Sequence, residues 1–187
     1  LATIDVVIEI PKGSRNKYEY DEQLGTFRLD RVLYSSVHYP TDYGFVPDTL
    51  AEDGDHLDAL VIVYEPTFPG CRVLARPVGL LSMTDEAGAD AKILGVLESD
   101  PRFEEIAELA HVPTHLLSEI ENFFATYKVL EKKPTATLGW SDRLAALEEI
   151  AKARQRWQRL LRTSRPHRRR LPIPVSALGA PTHVGYG

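Results

Sequence analysis

Cysteine is almost missing from this chain: of 187 residues only Cys71 carries a thiol. That excludes an intramolecular disulfide framework and any metal site built on several thiolates, and it leaves Cys71 as a small apolar residue in a strand-like run. Long apolar stretches are lacking as well. The longest fall far short of the roughly 20 residues that a membrane helix needs, and the first residues show no basic stretch followed by a signal-like apolar one. No membrane or secretory address is read from the sequence, so a cytoplasmic location is expected. Internal repeats are not found either.

Basic charge is scarce outside one end. The formal charge is −5, yet five arginines and no acidic residue lie from Arg162 onward, so the first 161 residues hold 17 basic against 27 acidic groups. A body this acidic disfavours nonspecific binding of nucleic acid and suits a protein that gathers divalent cations.

What is present is a globular composition, 43% hydrophobic and 9% aromatic, in a length that accommodates one domain with a substantial core. Residues Ile4 to Ile10 are β-branched and apolar and then break at Pro11-Lys12-Gly13-Ser14, the pattern of a strand running into a loop. Strand-like pieces recur at Lys17 to Tyr20, Thr26 to Tyr34, Leu60 to Tyr64, Cys71 to Met83 and Lys92 to Leu97, with turn formers between them. Short strands with turns predict a small barrel or sandwich. Beyond Pro101 the period changes. Leu116, Leu117, Ile120, Phe123, Phe124 and Tyr127 recur at helical spacing after Pro113-Thr114, and a second stripe from Leu144 to Leu161 follows the N-cap candidate Ser141-Asp142. Strands followed by helices give an α+β fold. The Arg- and Pro-rich end, from Arg165 to Gly187, has no periodicity and reads as an extended C-terminal tail.

The chemistry is densest in Asp53-Gly54-Asp55-His56-Leu57-Asp58, where three carboxylates occupy six residues. Adjacent ionised carboxylates raise each other's pKa, and a bound hard cation is the usual offset; oxygen ligands point to Mg²⁺, Mn²⁺ or Ca²⁺. A calcium loop of the helix-loop-helix type is a poor match, because the sixth position is Asp58 rather than glycine and the twelfth is Tyr64. A solvated acidic turn remains open for this segment taken alone. A second cluster, Asp85 to Lys92, also sits between strand-like runs, and two acidic turns facing one cavity would hold more negative charge than one cation offsets. Strand alternation puts Asp90 and Lys92 on one face, so a cation stands beside the carboxylates, as an anionic substrate requires. Glu9, inside an apolar strand, is costly unless it has a partner. Lys17 with Glu19, and Arg31 with Asp30 or Glu22, could equally be surface ion pairs. His111 and His115 are four apart but flank Pro113, which interrupts the helix that would align them.

Taken in order, Ile8-Glu9-Ile10-Pro11, Lys17-Tyr18-Glu19, Asp30-Arg31, Tyr39-Pro40-Thr41-Asp42-Tyr43-Gly44-Phe45, the Asp53 to Asp58 signature, Arg76-Pro77-Val78-Gly79, Met83 to Lys92, and Phe123-Phe124 with Tyr127-Lys128 resemble the soluble inorganic pyrophosphatases of family I, the Mg²⁺-dependent bacterial type. The resemblance implies hydrolysis of diphosphate to two orthophosphates on a small OB-like β-barrel flanked by two main α-helices. It makes residues 1–163 the family domain and 164–187 an added tail, and it implies self-association as a homohexamer. It implies several Mg²⁺ per site, with Mn²⁺ or Zn²⁺ as substitutes, held by Asp53, Asp58, Asp85 and Asp90 with Glu9 and Glu19. Asp55 would take the proton of the attacking water. Lys17, Arg31, Lys92, Tyr127 and Lys128 would hold the phosphoryl groups, with Tyr39 and Tyr43 completing the hydrogen-bond shell. One departure stands out: His56 occupies a place where relatives carry proline, so histidine should loosen the loop or replace its stiffness with a hydrogen bond. A silent binding barrel that uses the arginine-rich tail, and a hydrolase of larger phosphoanhydrides, are the competing readings.

Overall fold

The computed structural model describes residues 2–86 and 88–163, so the expected tail, 164–187, lies outside the described residues. Strand β1, Ile4–Ile10, shows why the fold and the site share elements: Ile4, Val6, Ile8 and Ile10 are buried, and the residues between them turn to the other face. Period-two alternation therefore takes Glu9 out of the apolar core and presents it on the opposite side of the strand.

Strand β1 pairs antiparallel with β4, Asp42–Val46, and with the first residues of β6, Arg72–Asp85. β4 pairs with β5, Leu57–Ile62; β5 pairs parallel with β7, Gly88–Leu97; and β7 pairs with β6. The five strands thus close a ring, and β8, Ala136–Ser141, extends it from the far half of β6. This is the OB-like arrangement expected, although the ring is not an even barrel. The seam between β1 and β4 depends on Gly44, where an added Cβ would lie 1.9 Å from the Val7 carbonyl oxygen, so no side chain fits. Strand β6 carries register shifts at Pro77/Gly79 and Ser82/Met83. Proline has no N–H for the ladder and is tolerated at such bulges, which let one long strand serve two sets of partners.

Strand β5 is buried on both faces, as a continuous apolar run predicts. Ala59 and Val61 pack with Val6, Ile8 and the inner face of helix α2, Arg143–Thr163, through Ala146, Ile150 and Ala153. Leu60 and Ile62 pack with Leu81, Leu94 and helix α1, Thr114–Thr126, through Ile120, Phe123 and Phe124. Both helices fall where the 3.6-residue period placed them, and Asp142 caps α2 by accepting from Ala145 N at 3.0 Å. Apart from the ring, β2, Asn16–Asp21, and β3, Thr26–Val32, form a two-stranded hairpin of their own.

The strands differ from the sequence reading in particulars. β4 and β8 were not among the expected strands. β3 ends at Val32 rather than Tyr34, because Leu33 turns inward and its N–H donates to Arg15 O at 2.8 Å. β5 starts at Leu57, and β6 and β7 run to Asp85 and from Gly88, so the second acidic cluster is the tip of a hairpin. Among the described residues no helix is long and apolar enough to cross a membrane.

Candidate active site

One cavity of about 590 Å³ opens where the hairpin leans over the ring, and Glu9, Lys17, Glu19, Arg31, Tyr43, Asp53, Asp55, Asp58, Asp85, Asp90, Lys92, Tyr127 and Lys128 all line it. Every residue to which the resemblance gives a site role is therefore brought to one place except Tyr39. That side chain is buried behind the wall, its ring 5.4 Å from Tyr43 and 4.7 Å from Phe123.

The floor is set by the parallel pairing of β5 and β7, which places Asp58 opposite Lys92. Lys92 is only 2% exposed, and its ammonium donates to Asp58 Oδ2 at 2.6 Å and to both Asp90 oxygens at 2.9 Å. The Tyr43 hydroxyl donates to the same Asp58 oxygen, and the Tyr43 and Phe124 rings face the ammonium at 5.3 and 5.2 Å. Burial alone would pull the Lys92 ammonium down, but the Asp58 and Asp90 charges outweigh it and hold it well above the ordinary lysine range. For Asp90 burial wins, and with Asp58 nearby the carboxyl is pushed up despite Lys92.

The first acidic turn is shaped by backbone. Gly54 has φ +100, a left-handed conformation that glycine adopts without strain. Asp53 Oδ1 accepts from Asp55 N at 3.1 Å, Ala51 N donates to Asp55 O at 2.7 Å, and buried Thr49 takes the Leu57 N–H on its hydroxyl at 2.9 Å. Burial, then Asp53 and Asp58, raise the Asp55 carboxyl. Glu9 is pushed up to about 7, chiefly by burial and against a hydrogen bond from Tyr20 N at 2.8 Å.

The second acidic turn is held by cations. Lys128, just beyond α1, donates to Asp85 Oδ2 at 3.0 Å and Glu86 Oε2 at 3.1 Å, while Lys133 reaches Glu86 Oε1 at 3.1 Å. Although desolvation opposes it, a backbone N–H and these two ammonium groups hold Glu86 down to about 2. On the hairpin Lys17 pairs with Glu19 and, at 3.5 Å, with Asp30. Arg31 is gripped by Glu131 through Nε at 3.0 Å and a terminal nitrogen at 2.9 Å, and by Asp30 on the other side.

Glu86 and Glu131 are the neighbours that sequence reasoning left aside, and Glu22, offered there as a partner for Arg31, instead meets His56 while Arg31 takes Asp30 and Glu131. Glu86 stood inside the quoted acidic cluster and was there to be found. Glu131 lies 100 residues from Arg31, and nothing in its local sequence marks the pairing. His111 ends a short 3-10 turn and accepts from Ala107 N and Glu108 N, whereas His115 is exposed beside Glu119, so the two do not form a shared site.

The donor set fits a hard divalent cation: its candidate ligands are carboxylate oxygens, and Glu9, Asp55 and Asp90 are raised first by burial and then by neighbouring carboxylates. Among the described residues no three acidic, histidine or cysteine side chains converge closely enough to enclose an ion as they stand; Lys92 bonds to Asp58 and Asp90, and Lys128 to Asp85.

Comparison with known proteins agrees with this architecture. The family model for inorganic pyrophosphatase matches residues 6–158. An inorganic pyrophosphatase of Methanosarcina acetivorans is 55% identical over 152 residues, 81% of this chain and 90% of that protein. One from a Nostoc species is 58% identical over 139 residues, covering 74% and 82% of the two chains. The crystal structure of the inorganic pyrophosphatase from Thermus thermophilus superposes with a TM-score of 0.82 at 50% identity, over 83% of this chain and 91% of the other.

Proposed function

The chain belongs to the inorganic pyrophosphatase family, and from that premise we propose that it hydrolyses inorganic diphosphate to two orthophosphates. The observation that carries the reading is one cavity in which a carboxylate floor, with Lys92 bonded into it, meets a fringe of Lys17, Arg31 and Lys128. Diphosphate is a dense anion that repels an attacking oxygen and leaves poorly while fully charged, so its cleavage requires positive charge on both sides of the broken bond.

Asp53, Asp58, Asp85 and Asp90, with Glu9 and Glu19 at the rim, would hold divalent cations, Mg²⁺ in the first place with Mn²⁺ or Zn²⁺ as substitutes. Such cations, when bound, lower the pKa of water and neutralise developing oxyanions. Asp55 orients the attacking water and accepts its proton, a role helped by a carboxyl that burial and two neighbouring carboxylates raise towards the working range. Glu131 and Asp30 use three of the five N–H groups of Arg31 and fix its plane, which leaves two for a phosphoryl oxygen. Lys17 and Lys128 act as point charges and Tyr127 donates a hydroxyl hydrogen bond, while Tyr43, whose hydroxyl donates to Asp58, is braced from behind by Tyr39. Self-association as a homohexamer and a cytoplasmic location complete the proposal; light scattering and cell fractionation address them.

Phosphate release from diphosphate, followed against Mg²⁺, Mn²⁺ and Zn²⁺, tests the activity. Metal-dependent turnover that collapses in Asp58→Asn is expected. Full activity of that variant would refute the assigned floor, and faster release from a nucleoside triphosphate would shift the substrate to larger phosphoanhydrides.

A further inference from the structure

His56 has more partners than a loop residue needs. Its Nδ1–H donates to the Thr49 carbonyl at 2.8 Å, and its Nε2 lies 3.0 Å from a Glu22 carboxylate oxygen at the tip of the β2–β3 hairpin. The ring stacks on Phe45 at 4.9 Å and 10°, and the Trp157 indole of α2 closes over it at 5.3 Å. Four separate parts of the fold therefore meet on one imidazole: the carboxylate loop that carries it, the ring strand β4, helix α2 and the hairpin.

Glu22 can transmit this contact because its turn is stiff. Asp21 Oδ1 accepts from Gln23 N and Leu24 N, both at 3.0 Å, and Gly25 N closes on Asp21 O at 2.8 Å. Lys17 and Glu19 lie on the strand leading into that turn and Arg31 on the strand leaving it. Another tie to the tip, Tyr20 N to Glu9, draws on a carboxylate that the proposed function assigns to a cation. The His56 tie draws on no such group.

We propose that His56 is a positioning residue: by strapping the Glu22 tip to the Asp53–Asp58 loop, it sets the distance between the phosphate-holding hairpin and the carboxylate floor. This rests on the diphosphate-hydrolase reading, and it explains how the chain keeps that loop in place without a proline. A glutamine at position 22 can donate to the ring or accept from it, and it preserves the strap.

The experiment compares the full-length wild type with H56A, E22A, E22Q and the H56A/E22A double variant. The KM for diphosphate and kcat are measured at saturating Mg²⁺, and backbone hydrogen exchange over residues 18–24 is measured in the metal-free chains. H56A and E22A should each raise KM about fivefold with kcat changed less than about twofold, as fits a rim hydrogen bond that places substrate contacts. The double variant should be no worse than H56A, E22Q should match wild type, and tip amides should exchange faster in E22A and H56A. An unchanged KM in E22A, or additive losses in the double variant, would overturn the strap; E22A changes an exposed side chain, so folding does not confuse the result. If the wild type releases no phosphate from diphosphate, the functional reading fails instead, and tip exchange alone still decides the strap.

Discussion

The two acidic turns carry similar charge and are handled in opposite ways. The turn at Asp53–Asp58 is held by backbone: a left-handed Gly54, hydrogen bonds within the loop, and the Thr49 hydroxyl beneath it. Asp55 there has a raised carboxyl and neighbours of its own sign. The hairpin tip at 85–90 is instead clasped by ammonium groups, Lys92 on Asp90 and Lys128 on Asp85 and Glu86, with Lys133 joining at Glu86. A turn fixed by its own backbone can leave a carboxylate available for proton transfer, whereas a hairpin tip relies on charge balance to stay in position. Asp58 joins the two regimes, since it ends the first turn and shares Lys92 with the second.

Substitutions that exchange these regimes should have graded effects. The largest is Asp55→Asn, which keeps the loop but removes the proton acceptor; a fall in kcat of about 10²- to 10⁴-fold is expected in a phosphate-release assay. Lys92→Met leaves Asp58 and Asp90 facing each other in a buried place, and urea unfolding of the metal-free protein should show a loss of about 3–5 kcal/mol.

Glu9 provides a pH test. Its folded value of about 7 lies above the ordinary 4.5, so the folded chain holds the proton more tightly than the unfolded one. Metal-free stability should therefore fall as pH rises from 4.5 to about 7, by roughly 3 kcal/mol in all, and level off beyond. Glu9→Gln should flatten that slope, and saturating Mg²⁺ should reduce it. The smallest effect belongs to Glu86→Gln, which weakens an exposed clasp on the second turn and should alter stability by less than about 1 kcal/mol in the same unfolding assay.

The parts of this molecule that the sequence made legible are those with a local cause. Helix α1 follows from apolar residues at helical spacing after Pro113, and β1 from an apolar run ending at Pro11. The carboxylate clusters were legible because repulsion within six residues is itself a local fact. β4 was hidden because Asp42 and Gly44 break its apolar pattern for reasons found elsewhere in the chain. Asp42 accepts from Lys12 N at 2.8 Å and from the Thr67 hydroxyl at 2.7 Å, and Gly44 makes room for β1. The same holds for Glu131 and Glu22, whose partners Arg31 and His56 come together only through tertiary structure.

The parallel pairing of β5 with β7 has a kinetic side. Asp58 and Lys92 are 34 residues apart, and the long β6 must cross over before they can meet. Contacts of that sequence separation carry a loop-closure cost that local turns and helices do not, so they form late in a chain's search for its structure. The central ion pair of the cavity thus waits on a non-local strand pairing, and a chain without that pairing would have no floor on which to work.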